Sequence, residues 1–322
     1  MDGAFLKLAR AGVALAFLVV TIGAWVRLTD AGLGCPDWPG CYGQLIVPDT
    51  SPLNPGADPT FLGPQFNPGK AWREMIHRYL ASALGFVCVL LAGLAWLNRN
   101  DPGQPVGLPF ALVAVVIMQG LLGMWTVTLL LKPVIVMGHL LGGFTTLGLL
   151  FWLARGRVER VRGGSGLRLL ALFAAAALVA QIALGGWTSA NYAALACPDF
   201  PTCQTRWWPP VADYREGFVL WRGLGIDYEG GVLDNPARVA IHFTHRLGAV
   251  CVALILGFFG GWLMRTRRMR GAGLAILAAL ATQLVLGSSI VLFGVPLAVA
   301  VAHNGVAALL LLTVLNANQR LN

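Results

Sequence analysis

Eight long apolar stretches, separated by polar segments, divide this chain of 322 residues. Each is long enough to cross a bilayer as an α-helix, which needs about 20 mainly apolar residues. The apolar residues are continuous rather than alternating, and this favours helices over the strands of a transmembrane barrel. The pattern therefore predicts an all-α integral membrane protein with eight transmembrane helices, over residues 8–27, 75–97, 108–128, 134–154, 168–189, 238–263, 272–293 and 297–317.

Two long loops, at about 28–73 and 190–237, carry near-copies of one cysteine motif. The first clip, residues 35–41, reads CPDWPGC, and the second clip, residues 197–203, reads CPDFPTC, 162 positions later. Both loops are rich in proline, glycine and tryptophan and follow an odd-numbered predicted helix. They are therefore expected on the same side of the membrane.

Further motifs show that the clips belong to a larger repeat. EMIHRYLAS in the second stretch matches HFTHRLGAV in the sixth. A glutamine and a histidine lie 20 positions apart in each half, and these are Gln119 with His139 and Gln283 with His303. Three matches in the same order indicate a duplicated four-helix unit, with halves at 1–160 and 161–322. Because four is even, both halves run in the same direction, and we expect two tandem four-helix bundles related by a pseudo-two-fold axis along the membrane normal.

The charged residues indicate the orientation of the helices. Only 11% of residues are charged, against about 25% in soluble domains. The net charge of +9 comes largely from Lys7, Arg10 and two arginine-rich connections, which contain Arg155, Arg157, Arg160, Arg162 and Arg168, and Arg265, Arg267, Arg268 and Arg270. With eight spans all of these lie on one side, which the positive-inside rule identifies as the cytoplasm. We therefore expect a bacterial-type inner or plasma membrane protein with both termini in the cytoplasm, in which the basic residues orient the chain in lipid and do not form a nucleic-acid site.

Four of the six cysteines lie in the two clips, outside the cytoplasm by this topology. Cysteines in oxidising compartments tend to form disulfides, so we expect Cys35 to pair with Cys41 and Cys197 with Cys203. Zinc is the less favoured alternative, because neither loop contains a histidine and four thiolates would have to meet from both loops. The remaining two cysteines lie in predicted helices and are expected to be packing residues.

All five histidines lie inside or at the outer ends of predicted helices, and the repeat pairs His77 with His245 and His139 with His303. A single membrane histidine is usually a packing residue. Four on four helices at one depth instead indicate function, because polar residues in spans are costly. Two neutral imidazoles that face each other across a four-helix bundle are suited to axial ligation of haem iron. We therefore expect one haem in each half, bound by His77 with His139 and by His245 with His303.

Arginine follows one histidine in each half, as Arg78 after His77 and Arg246 after His245. Near the outer surface, a guanidinium could pair with haem propionates through charge-assisted hydrogen bonds. The alternative is that these side chains are interfacial anchors. The sequence leaves both interpretations open.

The repeat breaks at Glu74, which lies three residues before His77 and has His242 as its counterpart. A carboxylate near a reacting haem can accept a proton or orient water. The structural alternative is that Glu74 only pairs with Arg78, four residues later on the same helical face. The break favours a functional role, in which the two halves have different tasks, and it leaves the role of His242 open.

Taken together, these features resemble the haem A synthase family over nearly the whole chain. The resemblance rests on two tandem four-helix halves, the histidines on even-numbered helices, and the motifs EMIHR, CPDWPGC and THRLGA. Members of this family oxidise a ring methyl of haem O to a formyl group. The product, haem A, is the cofactor of haem-copper terminal oxidases, and haem O synthase makes the substrate.

The resemblance implies a substrate haem in residues 1–160 and a haem b cofactor in residues 161–322. The residues that it implies are Glu74 as the catalytic acid, His77 and His139 for haem O, and His245 and His303 for haem b. The electron partner is left open, and so is the source of oxygen. Dioxygen requires one axial ligand to depart, whereas water would use Glu74 as a base.

Two other classes of membrane protein share part of this pattern. A di-haem b electron carrier of the quinol oxidoreductase type would use the same histidines, but it needs no Glu74 and more naturally places its haems at two depths. A transporter usually has its site near mid-membrane among broken helices, whereas these histidines are expected near the outer face. Both classes are therefore disfavoured.

Overall fold

The computed structural model describes residues 3–49, 66–156, 158–161 and 163–321. Residues 50–65 of the first long loop, and Arg157 and Arg162 of the basic connection, lie outside the described residues. Over the described part the chain forms nine α-helices: α1 (Gly3–Leu28), α2 (Pro68–Leu97), α3 (Gly107–Thr128), α4 (Pro133–Arg155), α5 (Ser165–Ala190), α6 (Tyr214–Gly217), α7 (Asn235–Arg265), α8 (Arg270–Leu292) and α9 (Leu297–Arg320).

Eight of these helices, all except the short α6, are long and apolar enough to cross a membrane, which confirms the predicted class and the eight spans. Helices α2 and α7 both begin earlier than predicted, at Pro68 and Asn235. Each begins at a polar cap: Asn67 accepts a hydrogen bond from the Lys70 N–H (3.0 Å), and Asp234 accepts one from the Ala237 N–H (3.1 Å). Such caps stabilise a helix start, whereas an apolar pattern omits the polar first turns.

Contacts between the helices follow the repeat. In the first half α1 packs against α2 and α4, and α3 also packs against α2 and α4. In the second half α5 packs against α7 and α9, and α8 also packs against α7 and α9. Between the halves, α1 contacts α9 and α4 contacts α5, two contacts that are equivalent under the repeat. This arrangement fits two four-helix bundles around a pseudo-two-fold axis, and the axis itself stays a prediction.

The ends of α1 and α5 meet directly. Arg27 Nη2 donates to the Ser189 carbonyl (2.5 Å), and the Tyr192 hydroxyl donates to the Asp30 carboxylate (2.8 Å). In both pairs the partners are 162 positions apart, so they are equivalent residues of the repeat, and such residues touch only close to the axis that would relate them. The clips follow these helix ends, so this is the clip end of the bundle. At the opposite end, the termini end, α1 begins and α9 finishes.

A single apolar cluster drawn from both halves fills the interior toward the termini end. Its fully buried side chains include Phe5, Leu147, Leu150, Leu256 and Leu263. Elsewhere the spanning helices expose many large apolar side chains, a surface suited to lipid rather than water. The four predicted haem ligands lie between this cluster and the clips.

Candidate functional site

Both clips form the predicted disulfides. Cys35 is bonded to Cys41 and Cys197 to Cys203, with Cα atoms 4.8 and 4.6 Å apart. This pairing leaves no thiolate there for zinc. In each clip the aspartate accepts two backbone N–H hydrogen bonds from residues just after the second cysteine. The two clips are therefore built alike, as the repeat predicts.

The aspartate of the second clip, Asp199, lies outside the membrane-spanning segments and accepts a further hydrogen bond from the Thr202 hydroxyl. Its backbone donors are Gln204 (2.6 Å) and Thr205 (2.9 Å). Burial raises the pKa of Asp199, but these hydrogen bonds outweigh it and hold the pKa below its usual range. The charged carboxylate is therefore part of the folded clip.

The arginines after His77 and His245 hold the clips to the helices. Arg78 Nη1 donates to two carbonyls of the first clip at 2.5 and 2.9 Å. Arg246 Nη1 donates to two carbonyls of the second clip at 2.6 and 2.9 Å. Sequence reasoning missed this role, although a His-Arg pair downstream of a clip in each half was its signal. The contact with haem propionates stays a prediction.

Glu74 lies beneath the first clip and is buried, with 5% of its surface exposed. Its carboxylate accepts the backbone N–H of Cys35 (2.9 Å) and a hydrogen bond from Arg78 Nη2 (2.5 Å). The ion pair of the structural alternative is therefore present. It is buried, however, and it shares Glu74 with the clip, so each carboxylate oxygen has a donor and the side chain is held in one position.

His242 takes the corresponding place under the second clip and is also buried. The Cys197 N–H lies 3.3 Å from His242 Nδ1, and Arg246 Nε lies 3.1 Å from His242 Nε2. A neutral imidazole has a single acceptor nitrogen, so it satisfies one of these donors at a time, whereas a carboxylate satisfies both. The repeat therefore keeps the position beneath the clip and changes its chemistry.

The predicted ligand pair of the first half comes together. His77 on α2 and His139 on α4 have ring centres 6.4 Å apart and ring planes 83° apart. Two imidazoles that bind one metal ion from opposite sides, each nitrogen about 2 Å from the metal, have ring centres about 6 Å apart. The pair therefore fits bis-histidine ligation of a haem iron. In the second half, His245 on α7 and His303 on α9 occupy the equivalent positions.

Each of these four rings lies against a glycine of a neighbouring helix. A Cβ added at the glycine would come within 3.0 to 3.4 Å of the ring Cε1 atom, closer than ordinary van der Waals contact. The pairs are Gly23 with His77, Gly123 with His139, Gly185 with His245, and Gly287 with His303. Under the repeat Gly23 is equivalent to Gly185 and Gly123 to Gly287, but sequence reasoning did not identify these glycines as residues that make room for the rings.

The repeated glutamines contact the histidines that follow them by 20 positions. Gln119 Nε2 donates to the His139 carbonyl (2.8 Å), and Gln283 Nε2 lies 3.2 Å from His303 Nε2. Nδ1 of both histidines is buried and has no hydrogen-bond partner among the described residues. A buried nitrogen without a hydrogen-bond partner is costly, and an iron bound at that nitrogen would offset the cost. This also fits a haem site.

The two halves differ at the first histidine of each pair. In the second half, Gln181 Nε2 lies 3.0 Å from His245 Nδ1 and 2.9 Å from the His245 carbonyl. The repeat places Val19 opposite Gln181. Nδ1 of His77 is buried and unpartnered among the described residues. The second-half ring is therefore more firmly held by protein than its counterpart.

All four histidines lie in the half of the bundle nearer the clips. His139 and His303 are six residues from the starts of α4 and α9, while His77 and His245 are nine and ten residues from the starts of α2 and α7. At 1.5 Å per residue this places them about 9–15 Å from the helix starts. The two pairs therefore share a similar depth.

Comparison with known proteins gives one family. Residues 7–315 match the profile of the COX15-CtaA family, described as cytochrome oxidase assembly protein. A protein of Shewanella oneidensis named Heme A synthase is 43% identical over 316 residues, which cover 97% of this chain and 94% of that protein.

More distant relatives carry the same name and also match along most of their length. The Heme A synthase of Sphingopyxis alaskensis is 30% identical over 354 residues, covering 99% of this chain and 92% of that protein. The Heme A synthase of Halalkalibacterium halodurans is 26% identical over 310 residues, covering 92% and 90%. The similarity thus extends over both four-helix halves.

Proposed function

Because this chain belongs to the COX15-CtaA family of cytochrome oxidase assembly proteins, we propose that it is a haem A synthase, an oxidoreductase that converts a ring methyl of haem O to the formyl group of haem A. The observation that carries the proposal is the facing pair His77 and His139, with the buried carboxylate of Glu74 one helical turn before His77. Relatives that match the full chain are named for this activity.

We propose different tasks for the two halves. Residues 1–160 bind the substrate haem O through His77 and His139, and residues 161–322 bind a haem b cofactor through His245 and His303. Two asymmetries support this assignment. The carboxylate beneath the clip is found in the first half, and the additional glutamine contact that holds the first histidine is found in the second.

When bound, the substrate haem would supply the methyl group and the cofactor haem would supply a relay for electrons. Glu74 accepts a proton during the oxidation. Its position is set by hydrogen bonds from the Cys35 N–H and from Arg78, which also donates to a carbonyl of the first clip. Since the closed clip holds the carboxylate from above, Glu74 can act without reorienting, as acid–base catalysis requires.

For the topology we propose a bacterial-type inner or plasma membrane, cytoplasmic termini and haem sites near the outer face. The support is the arginine-rich termini end, where Arg155 and Arg320 are the last residues of α4 and α9 and Arg10 lies in the first half of α1. Beyond the family's link to cytochrome oxidase assembly, the proposed partners are haem O synthase, which supplies the substrate, and an electron partner that is not identified.

The direct test is to express the chain with haem O synthase in a host that lacks haem A, then extract the haems. Haem A in the extract is the expected result. Haem b alone would instead favour a di-haem electron carrier, which uses the same histidines without modifying a haem.

The division of tasks is tested by replacing equivalent histidines. His245→Ala or His303→Ala should abolish the stable haem b spectrum. His77→Ala or His139→Ala should leave much of that spectrum and remove haem A formation. The equivalent residues serve as controls for each other, and equal loss of haem b in all four variants would contradict the assignment.

A further inference from the structure

A cavity at the termini end, away from the histidines, is lined by three arginines. It has a volume of about 580 Å³ and lies where α1, α4 and α9 meet. Arg10 comes from α1, while Arg155 and Arg320 are the last residues of α4 and α9. The cavity therefore joins two helices of the first half to one of the second.

The positive charge of this cavity is not balanced by its own lining. Of the described residues that line it, Glu159 is the one acid, and Glu159 is an exposed partner of Arg268 at 3.3 Å. Arg155 and Arg320 line the cavity together, so like charges share it. Like charges held together beside hydrocarbon are unfavourable unless an anion lies between them.

Each arginine alone has an ordinary explanation, since cations are favoured at helix C-termini and on the cytoplasmic side. Those preferences do not explain why three surround one cavity. The repeat also does not explain it, because the equivalent positions hold non-basic residues. The counterparts of Arg10, Arg155 and Arg320 are Leu172, Gln319 and Gly156.

Two apolar residues of the lining come from positions deeper in the bundle. Val13 is three residues beyond Arg10 along α1, and Phe151 is one helical turn before Arg155 in α4. At 1.5 Å per residue the Cα atoms of Val13 and Phe151 lie about 4–6 Å further from the termini end than those of Arg10 and Arg155. A cavity with a charged entrance and an apolar interior suits a lipid, whose phosphate headgroup would lie at the entrance and whose acyl chain would lie inside.

We propose that this cavity binds an anionic phospholipid, with its phosphate among Arg10, Arg155 and Arg320 and an acyl chain along Val13 and Phe151. A guanidinium group can donate two parallel hydrogen bonds to the oxygens of one phosphate. Basic pockets between spanning helices also suit anionic headgroups. The bound lipid bridges the two halves at the end opposite the clips.

The test uses the full-length protein in detergent micelles and native mass spectrometry. The probes are phosphatidylglycerol, phosphatidylcholine and inorganic phosphate, titrated separately. The wild type should retain one phosphatidylglycerol more tightly than phosphatidylcholine, and inorganic phosphate should not displace it at equal concentration. Displacement by inorganic phosphate would mean that the site binds a free anion, and would overturn the lipid assignment.

Variants show whether the cavity is the site. Each basic residue near an anionic headgroup contributes about fivefold in affinity. Arg10→Gln should therefore weaken phosphatidylglycerol binding about 5-fold, and the double variant with Arg155→Gln about 25-fold. Arg265→Gln is the matched control, because Arg265 is the exposed last residue of α7 and lies outside the cavity.

Folding is checked by elution volume and by the bound-haem spectrum of each variant. Arg10 is exposed, so Arg10→Gln keeps the test decisive if the double variant fails to fold. Unchanged retention in Arg10→Gln, or an equal loss in Arg265→Gln, would overturn the proposal.

Discussion

Replacing Glu74 by glutamine tests whether the break in the repeat serves catalysis. In the structure the two carboxylate oxygens accept from the Cys35 amide and from Arg78. Glutamine keeps one acceptor oxygen, but its NH₂ group can only donate. Glu74→Gln therefore loses one of the two hydrogen bonds and the charge, with almost no change in size.

Glu74→Gln should lower stability by more than the loss of an exposed ion pair would. Exposed pairs contribute about 0–1 kcal/mol, but the Glu74 and Arg78 side chains are only 7% and 13% exposed. A lost hydrogen bond to a charged partner costs about 1.5–3 kcal/mol. Arg78 keeps its bonds to the clip carbonyls, so we expect a less stable first loop on a folded bundle.

The expected effect of Glu74→Gln on catalysis is seen in the rate of haem A formation rather than in stability. A positioned acid–base group contributes about 10²–10⁴ in rate, which is about 2.7–5.4 kcal/mol of activation free energy. The assay is haem A formed per bound haem b, measured by haem extraction after expression with haem O synthase. Dividing by haem b corrects for any loss of folded protein. We expect at least a 100-fold decrease, retained haem b, and accumulated haem O or a partly oxidised product.

The matched control is His242→Gln, at the equivalent position under the second clip. It disturbs the contacts to Cys197 and Arg246 and should lower stability, but it should leave haem A formation per haem b within a few fold. Near-normal turnover by Glu74→Gln would refute the catalytic role. An equal decrease in both variants would show that clip packing, rather than the carboxylate, limits the reaction.

Three further predictions concern the surroundings of the site. Gly23→Ala would place a Cβ 3.0 Å from the His77 ring, so overpacking of about 1–3 kcal/mol should reduce haem A formation while haem b is retained on extraction. Gly85→Ala, where the added Cβ meets no atom within 4 Å, should have no such effect. Cys35→Ser should loosen the first loop by about 2–3 kcal/mol, seen as faster proteolysis there than in the bundle. Because the pKa of Asp199 is depressed, its stabilisation of the second clip is present above its unfolded-state pKa and is lost as pH falls through the folded-state pKa. The protection factors of the amides it binds, measured by hydrogen exchange and corrected for the intrinsic exchange rate at each pH, should fall in acid. Asp199→Asn should remove this dependence; an unchanged pH profile in the variant would contradict the reasoning.

The sequence was sufficient for features that depend on local composition or fixed spacing. The eight spans follow from apolar length, because the bilayer leaves helices few alternatives. The clip disulfides follow from two cysteines six residues apart in a repeated motif. The facing of His77 and His139 was predictable because two histidines on helices of one bundle, at matching depth, have few other partners.

Sequence reasoning was least successful where a polar group has several possible partners. It left open whether Arg78 and Arg246 contact haem propionates or the membrane interface. In the structure both arginines donate hydrogen bonds to clip carbonyls, which lie about 40 or more residues away in the chain. Sequence reasoning also left open whether Glu74 only pairs with Arg78, and nothing in the local sequence shows that a clip closes over the pair.

What the sequence by itself determined is therefore the inventory of helices, the repeat and the residue types that suit haem. What only the tertiary structure decided is which helix faces meet. The close approach of Gly23 to His77, the contact between Arg27 and Ser189, and the meeting of three arginines around one cavity all join residues far apart in the chain. Hydrophobic patterning specifies which segments cross the membrane, but the rotation of one apolar helix against another is set by side-chain packing, which no single segment encodes.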